Sequence, residues 1–422
     1  MRVGGEVRVT GWGWRSWFGS EVVRGDTGLM QATVDSPVCV VPSGYLMPPF
    51  ASPAQSRRYA LHAVLAAILL ALALPACSNS ASTTPKPITP VGVFGGPGLN
   101  PGQFAKPRAI DADATTLWVV DRSARIQRLD PETGECIHWF ATPESELGKP
   151  VGITVAPAPD GSGAPALYVP DTHYNRMMVY LIPALPAKEA DGRWPRPVDL
   201  RLEPVLVVGS YGEKPGEMIY PTDVAVLTGA DGKTVERIYV AEFGGNDRVQ
   251  AFDRTGKLLF GFGKMGEGAD PGALEFNRPQ SIAITGRAGD AIDSRQLVIV
   301  DSINHRVGIF TLDGVVVRWL GKPGRGMTAG QVDVATGKSA EAELQHPRGL
   351  QLEAGGTAIL VEFGNNRVQR IDLTTGASLG CWGTPGRGVG QLSEPWSLVS
   401  FGAKTFVVDA SNHRLVVMQT PR

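Results

Sequence analysis

Five histidines follow residue 77, namely His138, His173, His305, His346 and His413. A catalytic zinc takes three converging protein ligands and keeps a fourth position open, so these side chains bear on catalysis only if the fold gathers three of them. The four cysteines, Cys39, Cys77, Cys136 and Cys381, show no metal spacing and are too few for a disulfide scaffold. No nucleophile motif, phosphate-binding loop or dinucleotide fingerprint stands in a credible context. What does recur is an acid followed four to six residues later by an arginine: Asp121 and Arg125, Asp171 and Arg176, Glu242 and Arg248, Asp301 and Arg306, Glu362 and Arg367, Asp409 and Arg414. In five of the six an asparagine sits just before the arginine, at Asn175, Asn246, Asn304, Asn365 and Asn412. A carboxylate taking bidentate bonds from a guanidinium, beside an Asn that satisfies turn backbone, makes a joint between strands. Catalysis needs asymmetry, and a group present in every unit points to structure instead.

The elements that position these joints repeat with them. A proline opens a short strand at Pro107, Pro150, Pro221, Pro279, Pro347 and Pro395, and an apolar strand then ends in the acid. The arginine opens a third strand. Turn residues lead to a fourth, as in Asp253-Arg254-Thr255-Gly256 before Lys257-Leu258-Leu259-Phe260. Four strands per unit and six units predict an all-β fold, a six-bladed β-propeller rather than a helical solenoid. The last unit stops at Arg414-Leu415-Val416-Val417-Met418 with no fourth strand, whereas Val91-Gly92-Val93-Phe94-Gly95 precedes the first unit and looks like a fourth strand. Lending that N-terminal strand to the last blade closes the ring and removes two open edges.

Composition agrees with many short strands joined by tight turns, with 52 Gly and 33 Pro spread along 422 residues. After residue 76 the chain carries 34 Lys and Arg against 37 Asp and Glu, which supplies no overall field for nucleic acid. Cys136 and Cys381 occupy similar places in different units, so both are expected to be buried free thiols.

Asn304-His305-Arg306 and Asn412-His413-Arg414, each after an acid, resemble the motif of NHL repeats, and the resemblance covers residues 91–422. The first unit departs from it, with Ser123-Ala124-Arg125 lacking the Asn, and Glu242 and Glu362 replace Asp. The resemblance implies binding or scaffolding, and one enzyme group of such propellers cleaves hydroxyglycine-ended peptides with zinc held by channel histidines. Here no histidine falls at the channel position after the proline, His305 and His413 lie in acid turns, and His346 stands alone before Pro347. A lactonase-type hydrolase would need channel acids and amides, for which Asp223 and Gln280 are meagre. Binding is therefore the leading expectation, with no catalytic residue, metal or cofactor assigned. A metal-dependent lyase or hydrolase is the alternative.

Asymmetry among the units marks the candidate site. In such propellers the residue after the opening proline lies near the channel mouth, and around the ring it reads Arg108, Val151, Thr222, Gln280, Arg348 and Trp396. Ring closure makes units five, six and one neighbours, so Arg348, Trp396 and Arg108 form one arc. Two guanidiniums flanking an indole suit an anionic or sugar-like ligand, and solvated rim residues are the other reading. From proline to acid the spacing is 14 or 15 residues in units one, five and six but 21 or 22 in units two, three and four. The extra segments, such as 157–165 and 285–295, together with 183–204, are expected on the face opposite the acid turns, as a partner-docking ridge or as tolerated insertions.

The first ninety residues read as an address. Arg57-Arg58 precedes an apolar run from Ala63 to Ala76, too short to span a bilayer, which ends at Cys77. Leu74-Pro75-Ala76-Cys77 resembles the lipobox of bacterial lipoproteins, with Pro75 departing from the usual pattern. An ordinary secretory signal is the other reading, and Arg57-Arg58 also resembles a twin-arginine export signal. The expected organisation is a non-native or disordered extension over 1–46, a signal peptide over 47–76, a lipidated polar tether over 77–90 and the propeller over 91–422. Such a chain would sit outside the cytoplasm, in the periplasm or at the cell surface, held to the membrane by Cys77. Its expected ligand is a protein, a glycan or an anionic group.

Overall fold

Runs such as Leu117-Trp118-Val119-Val120 are apolar on both faces because each is the second strand of a sheet wedged between two others. The computed structural model describes residues 86–421 apart from 145, 148, 269–273, 287–288 and 326–340. Cys77, Arg57 and Arg58 lie outside the described residues.

Six sheets carry the fold. Blade one comprises Pro107–Ala112, Leu117–Asp121, Arg125–Leu129 and Cys136–Ala141. Blade two has Thr154–Pro157, Pro165–Asp171, Arg176–Leu181 and Leu206–Val208. Blade three has Pro221–Thr228, Val235–Glu242, Arg248–Phe252 and Leu258–Phe262, and blade four Pro279–Ile284, Gln296–Asp301, Arg306–Thr311 and Val316–Leu320. Blade five has Pro347–Glu353, Thr357–Glu362, Arg367–Asp372 and Ser378–Trp382. Blade six joins Pro395–Phe401, Lys404–Asp409 and Arg414–Gln419 to Pro90–Gly95, with Val93 opposite Val416. The first strand of each blade touches the first strand of the next, blade six returning to blade one, so the chain is a closed six-bladed β-propeller. Its core is divided into six wedges, one at each blade junction.

Three features differ from the sequence expectation. Residues 150–153 are not a strand, and pairing in blade two starts at Thr154 opposite Tyr168. In blades one, three and four the residue before the acid pairs with the second after the opening proline, as Val120 does with Ala109. Blade two has Pro170 there, which lacks the N–H that the ladder needs. Packing also begins before residue 91. Lys86 donates its backbone N–H to Cys381 O at 3.1 Å, Gly383 donates to Lys86 O at 3.0 Å, and Ile88 is buried between blades five and six. Finally, segment 183–204 is no free ridge. Its Val198–Asp199 strand lies parallel on the outer strand of blade one, opposite His138 and Trp139, and Trp194 Nε1 donates to Asp130 at 2.8 Å. It covers an edge that would otherwise be open.

The acid and arginine joints hold the strand-to-strand turn to the loop entering the same blade. Arg306 Nε meets one oxygen of Asp301 at 2.9 Å, while its other nitrogens donate to the carbonyls of Gly268 and Glu275. Arg414 does the same between Asp409 and the carbonyls of Gly388 and Gln391. The expected two-pronged pair is thus a contact to a single carboxylate oxygen in all six blades, with most of the remaining fork spent on backbone carbonyls; Arg176 also reaches Glu144 and Arg367 also reaches Gln369. The asparagines fall into two positions. Asn304, Asn365 and Asn412, two before the arginine, donate to the acid at 2.9, 2.6 and 2.8 Å. Asn175 is one before it and faces the next blade.

That second position forms a latch between blades. Asn175, Asp247, His305, Asn366 and His413 each accept the backbone N–H of the residue before the next opening proline, at Tyr220, Arg278, His346, Glu394 and Lys106. All five donors have positive φ, between 46° and 62°. The latch therefore satisfies an N–H that the left-handed turn takes out of any ladder. Blade one carries Ala124 at this position and has no side-chain acceptor there. Replacing Asn366 by Gly, which suits its own φ of 52°, should cost about 1–2 kcal/mol through the lost latch. Asn366→Ala should cost more because Cβ adds strain. Urea unfolding of both variants checks the order.

Candidate binding site at the channel

In five blades the first strand carries a register shift directly after its proline, at Pro107, Pro221, Pro279, Pro347 and Pro395. A bulge leaves the next residue outside the ladder and re-aims its side chain. Arg108, Thr222, Gln280, Arg348 and Trp396 are those residues. The channel encloses a cavity of about 280 Å³ lined by the first strands of all six blades, including Gln280, Arg348 and Trp396.

The expected arc is present as a stack. The Arg108 guanidinium carbon lies 3.7 Å from the Trp396 ring centroid and that of Arg348 lies 3.6 Å from it. Both guanidiniums therefore pack on the same indole. Phe363 also meets Arg348, at 3.8 Å, with its ring at 87° to the indole. Arg348 and Trp396 are each only 8% exposed. Arg348 Nε and Nη1 and Trp396 Nε1 are buried without a hydrogen-bond partner, and Arg348 has no ion pair among the described residues. Burial, then repulsion from Arg278 and Arg108, pushes the Arg348 pKa well below its ordinary value. Arg108 is pushed down to about 10 by burial, then by Arg122 and Arg278, with Glu394 opposing.

The remaining predicted residues are placed as follows. Arg278 Nε donates to Gln280 at 3.0 Å, which fixes that amide. Asp223 faces the cavity and takes Ser281 Oγ at 2.8 Å, Ile282 N at 3.1 Å and Val224 N at 3.0 Å. Its carboxyl is raised to about 7 by burial, against those hydrogen bonds and with repulsion from Asp111. Asp111 lines the same cavity, accepts from Val155 N at 2.7 Å, and is raised to about 6 by burial. Sequence reasoning missed Asp111 and Arg278. The signal was there: four residues past the opening proline the blades read Asp111, Thr154, Ala225, Ala283, Gln351 and Val399.

His346 is not alone, since its ring lies edge-on to that of His305 at 4.5 Å between centroids. Both are pushed down by burial, His346 also by His305, Arg348 and Arg278. Among the described residues no three His, Cys, Asp or Glu side chains gather as metal ligands. Cys136 and Cys381 are buried and unpaired. Among the described residues no helix is long and apolar enough to cross a membrane.

One prediction arises from the channel carboxyls. Asp223 holds its proton more tightly in the folded chain than in the unfolded one. Stability drawn from that proton is present below the ordinary carboxylate range and is lost as pH rises through about 7. Relative to Asp223→Asn, the natural protein should lose up to roughly 1.4 kcal/mol per pH unit between pH 4 and 7. Unfolding midpoints of the two proteins across that range test it, and carbon-13 spectra should show one aspartate titrating near 7 that is missing from the variant.

No protein-family model matches the chain. It is 30% identical over 164 residues to Protein brain tumor of Drosophila melanogaster, a stretch covering 39% of this chain and 12% of that protein. Among solved structures it is similar to virginiamycin B lyase from Staphylococcus aureus, with a TM-score of 0.44, 14% identity and coverage of 76% of this chain and 98% of that one. A catalytically inactive variant of that lyase with quinupristin gives a TM-score of 0.45 at 13% identity, covering 78% and 99%.

Proposed function

We propose that this propeller is an NHL-type recognition module that binds an anionic group, a carboxylate or a phosphate, at the Arg348, Trp396 and Arg108 end of its channel. One observation carries the reading: Arg348 is a buried cation with two orphaned N–H groups and no ion-pair partner among the described residues. Burying an uncompensated charge is expensive, and an oxyanion supplies both the charge and the acceptors that the site lacks. The adjacent Trp396 Nε1 offers a third unused donor. Gln280 and Asp223 form the opposite side of the pocket and set its polar lining.

The segment before the propeller fits a module held outside the cytoplasm. On this reading residues 47–76 are an export signal headed by Arg57 and Arg58, Cys77 carries a lipid, and the membrane is one partner. Radiolabelled palmitate incorporated into the natural chain but not into Cys77→Ser would support the anchor. Equal labelling would sink it.

The binding site is tested by calorimetry of the full chain with acetate, butyrate and phosphate. Binding is expected with at least one anion and should be abolished in the Arg108→Ala, Arg348→Ala double variant. Unchanged binding in a folded double variant removes the site.

A further inference from the structure

The same cavity holds charge of both signs, placed on alternate blades. Arg348 comes from blade five, Asp223 from blade three and Asp111 from blade one, so the three side chains enter the channel from evenly spaced directions. They also differ in depth. Arg348 is the first residue after its proline, Asp223 the second and Asp111 the fourth. At about 3.3 Å of rise per strand residue, the Cα atoms of Asp223 and Asp111 lie about 3 Å and about 10 Å further along their own strands than that of Arg348 does along its strand.

Neither end is neutralised from within. Among the described residues Asp111 and Asp223 have no ion pair, and hydrogen bonds to neighbouring backbone and to Ser281 are what hold them. Their mutual repulsion runs unopposed by a nearby base, just as Arg348 faces only other cations and the distant Glu394. A simple anion would satisfy one end and leave the other needing a cation.

Resting on the anion reading above, we infer that the ligand is a small zwitterion, with its carboxylate or phosphate on Arg348 and Trp396 and a protonated amine between Asp223 and Asp111. An amino acid, a short peptide or an amino-terminated acid is the chemical class. The cavity of about 280 Å³ takes a molecule of that size. Thr154 and Gln351 also line it.

Calorimetry of the full chain with 4-aminobutyrate, 6-aminohexanoate and glycylglycine, against butyrate, hexanoate and hexylamine, decides it. At least one amino acid of the series should bind about tenfold or more tightly than its matched carboxylate. In Asp111→Asn, Asp223→Asn that advantage, read as the ratio of amino acid to matched carboxylate affinity, should fall to about one. Carbon-13 spectra of the natural protein keep the test open should that variant not fold: the zwitterion should drive both aspartates to the ionised form, and butyrate should not. Carboxylates binding with no added gain from any amine, or a gain that survives both substitutions, overturns the inference and leaves the anion site standing. Calcium binding at the two aspartates without an amine preference overturns it too. If no member of either series binds, and acetate, butyrate and phosphate do not bind either, the anion reading itself has failed.

Discussion

Substituting Arg348 by Met should weaken anion binding by at least about 30-fold and, in the same protein, raise stability by about 1–3 kcal/mol. The two effects have opposite signs because they share one cause. Arg348 is buried with Nε and Nη1 unpaired, and each orphaned N–H costs about 1–3 kcal/mol in addition to the charge itself. Two stacked rings return part of that. Contacts at 3.6 Å to Trp396 and 3.8 Å to Phe363 are worth about 2 kcal/mol when desolvated. Methionine keeps much of the packing through its thioether against the rings and removes the unpaired donors. The measurement is a urea unfolding series beside calorimetry with butyrate. A variant that loses stability would show the guanidinium to be a structural spacer, and the anion site would lose its main support.

Deleting residues 86–95 should cost at least about 5 kcal/mol, a large part of the stability of a typical domain. The deletion removes the Pro90–Gly95 ladder on Arg414–Gln419, the buried Ile88, and Phe94, whose ring lies 6.0 Å from that of Phe406. It also bares the edge of Arg414–Gln419, which other chains can then pair with. Aggregates or swapped oligomers are expected by size-exclusion chromatography, and a peptide spanning 86–95 should restore the monomer. A monomeric deletion variant with an unchanged urea midpoint would show that the ring does not depend on this strand.

The fold was legible because its signals repeat. Six opening prolines, each followed by an apolar strand ending in an acid and then, four to six residues on, by an arginine, mark six equivalent sheets despite unequal loops. The chain closure was legible because Arg414–Met418 lacks a fourth strand and Val91–Gly95 has no blade of its own. What escaped was whatever depends on one residue in one blade. Pro170 silences a strand that Pro150 announces, through a missing N–H that the periodicity does not weigh. His305 meets His346 only because the latch brings consecutive blades together at those two positions. Segment 183–204 looked like a free insertion, since a two-residue strand such as Val198–Asp199 has too little pattern to read. At the site, the arc of Arg108, Trp396 and Arg348 could be placed from ring order. The packing of both guanidiniums on one indole, and Asp111 deeper in the channel, required coordinates.

The seam in blade six has a consequence for how the protein is made. Lys106 and His413, which join blades one and six, are 307 residues apart, and Pro90–Gly95 waits still longer for Arg414–Gln419. On a ribosome the earliest propeller strand has no mate until nearly all of the remaining blades have emerged. Contacts of such separation slow folding and leave partly built species open to wrong pairings. The last joint to form should therefore set the pace of refolding, and a holdase that shields the early strand should raise the yield more than one that acts on the finished ring.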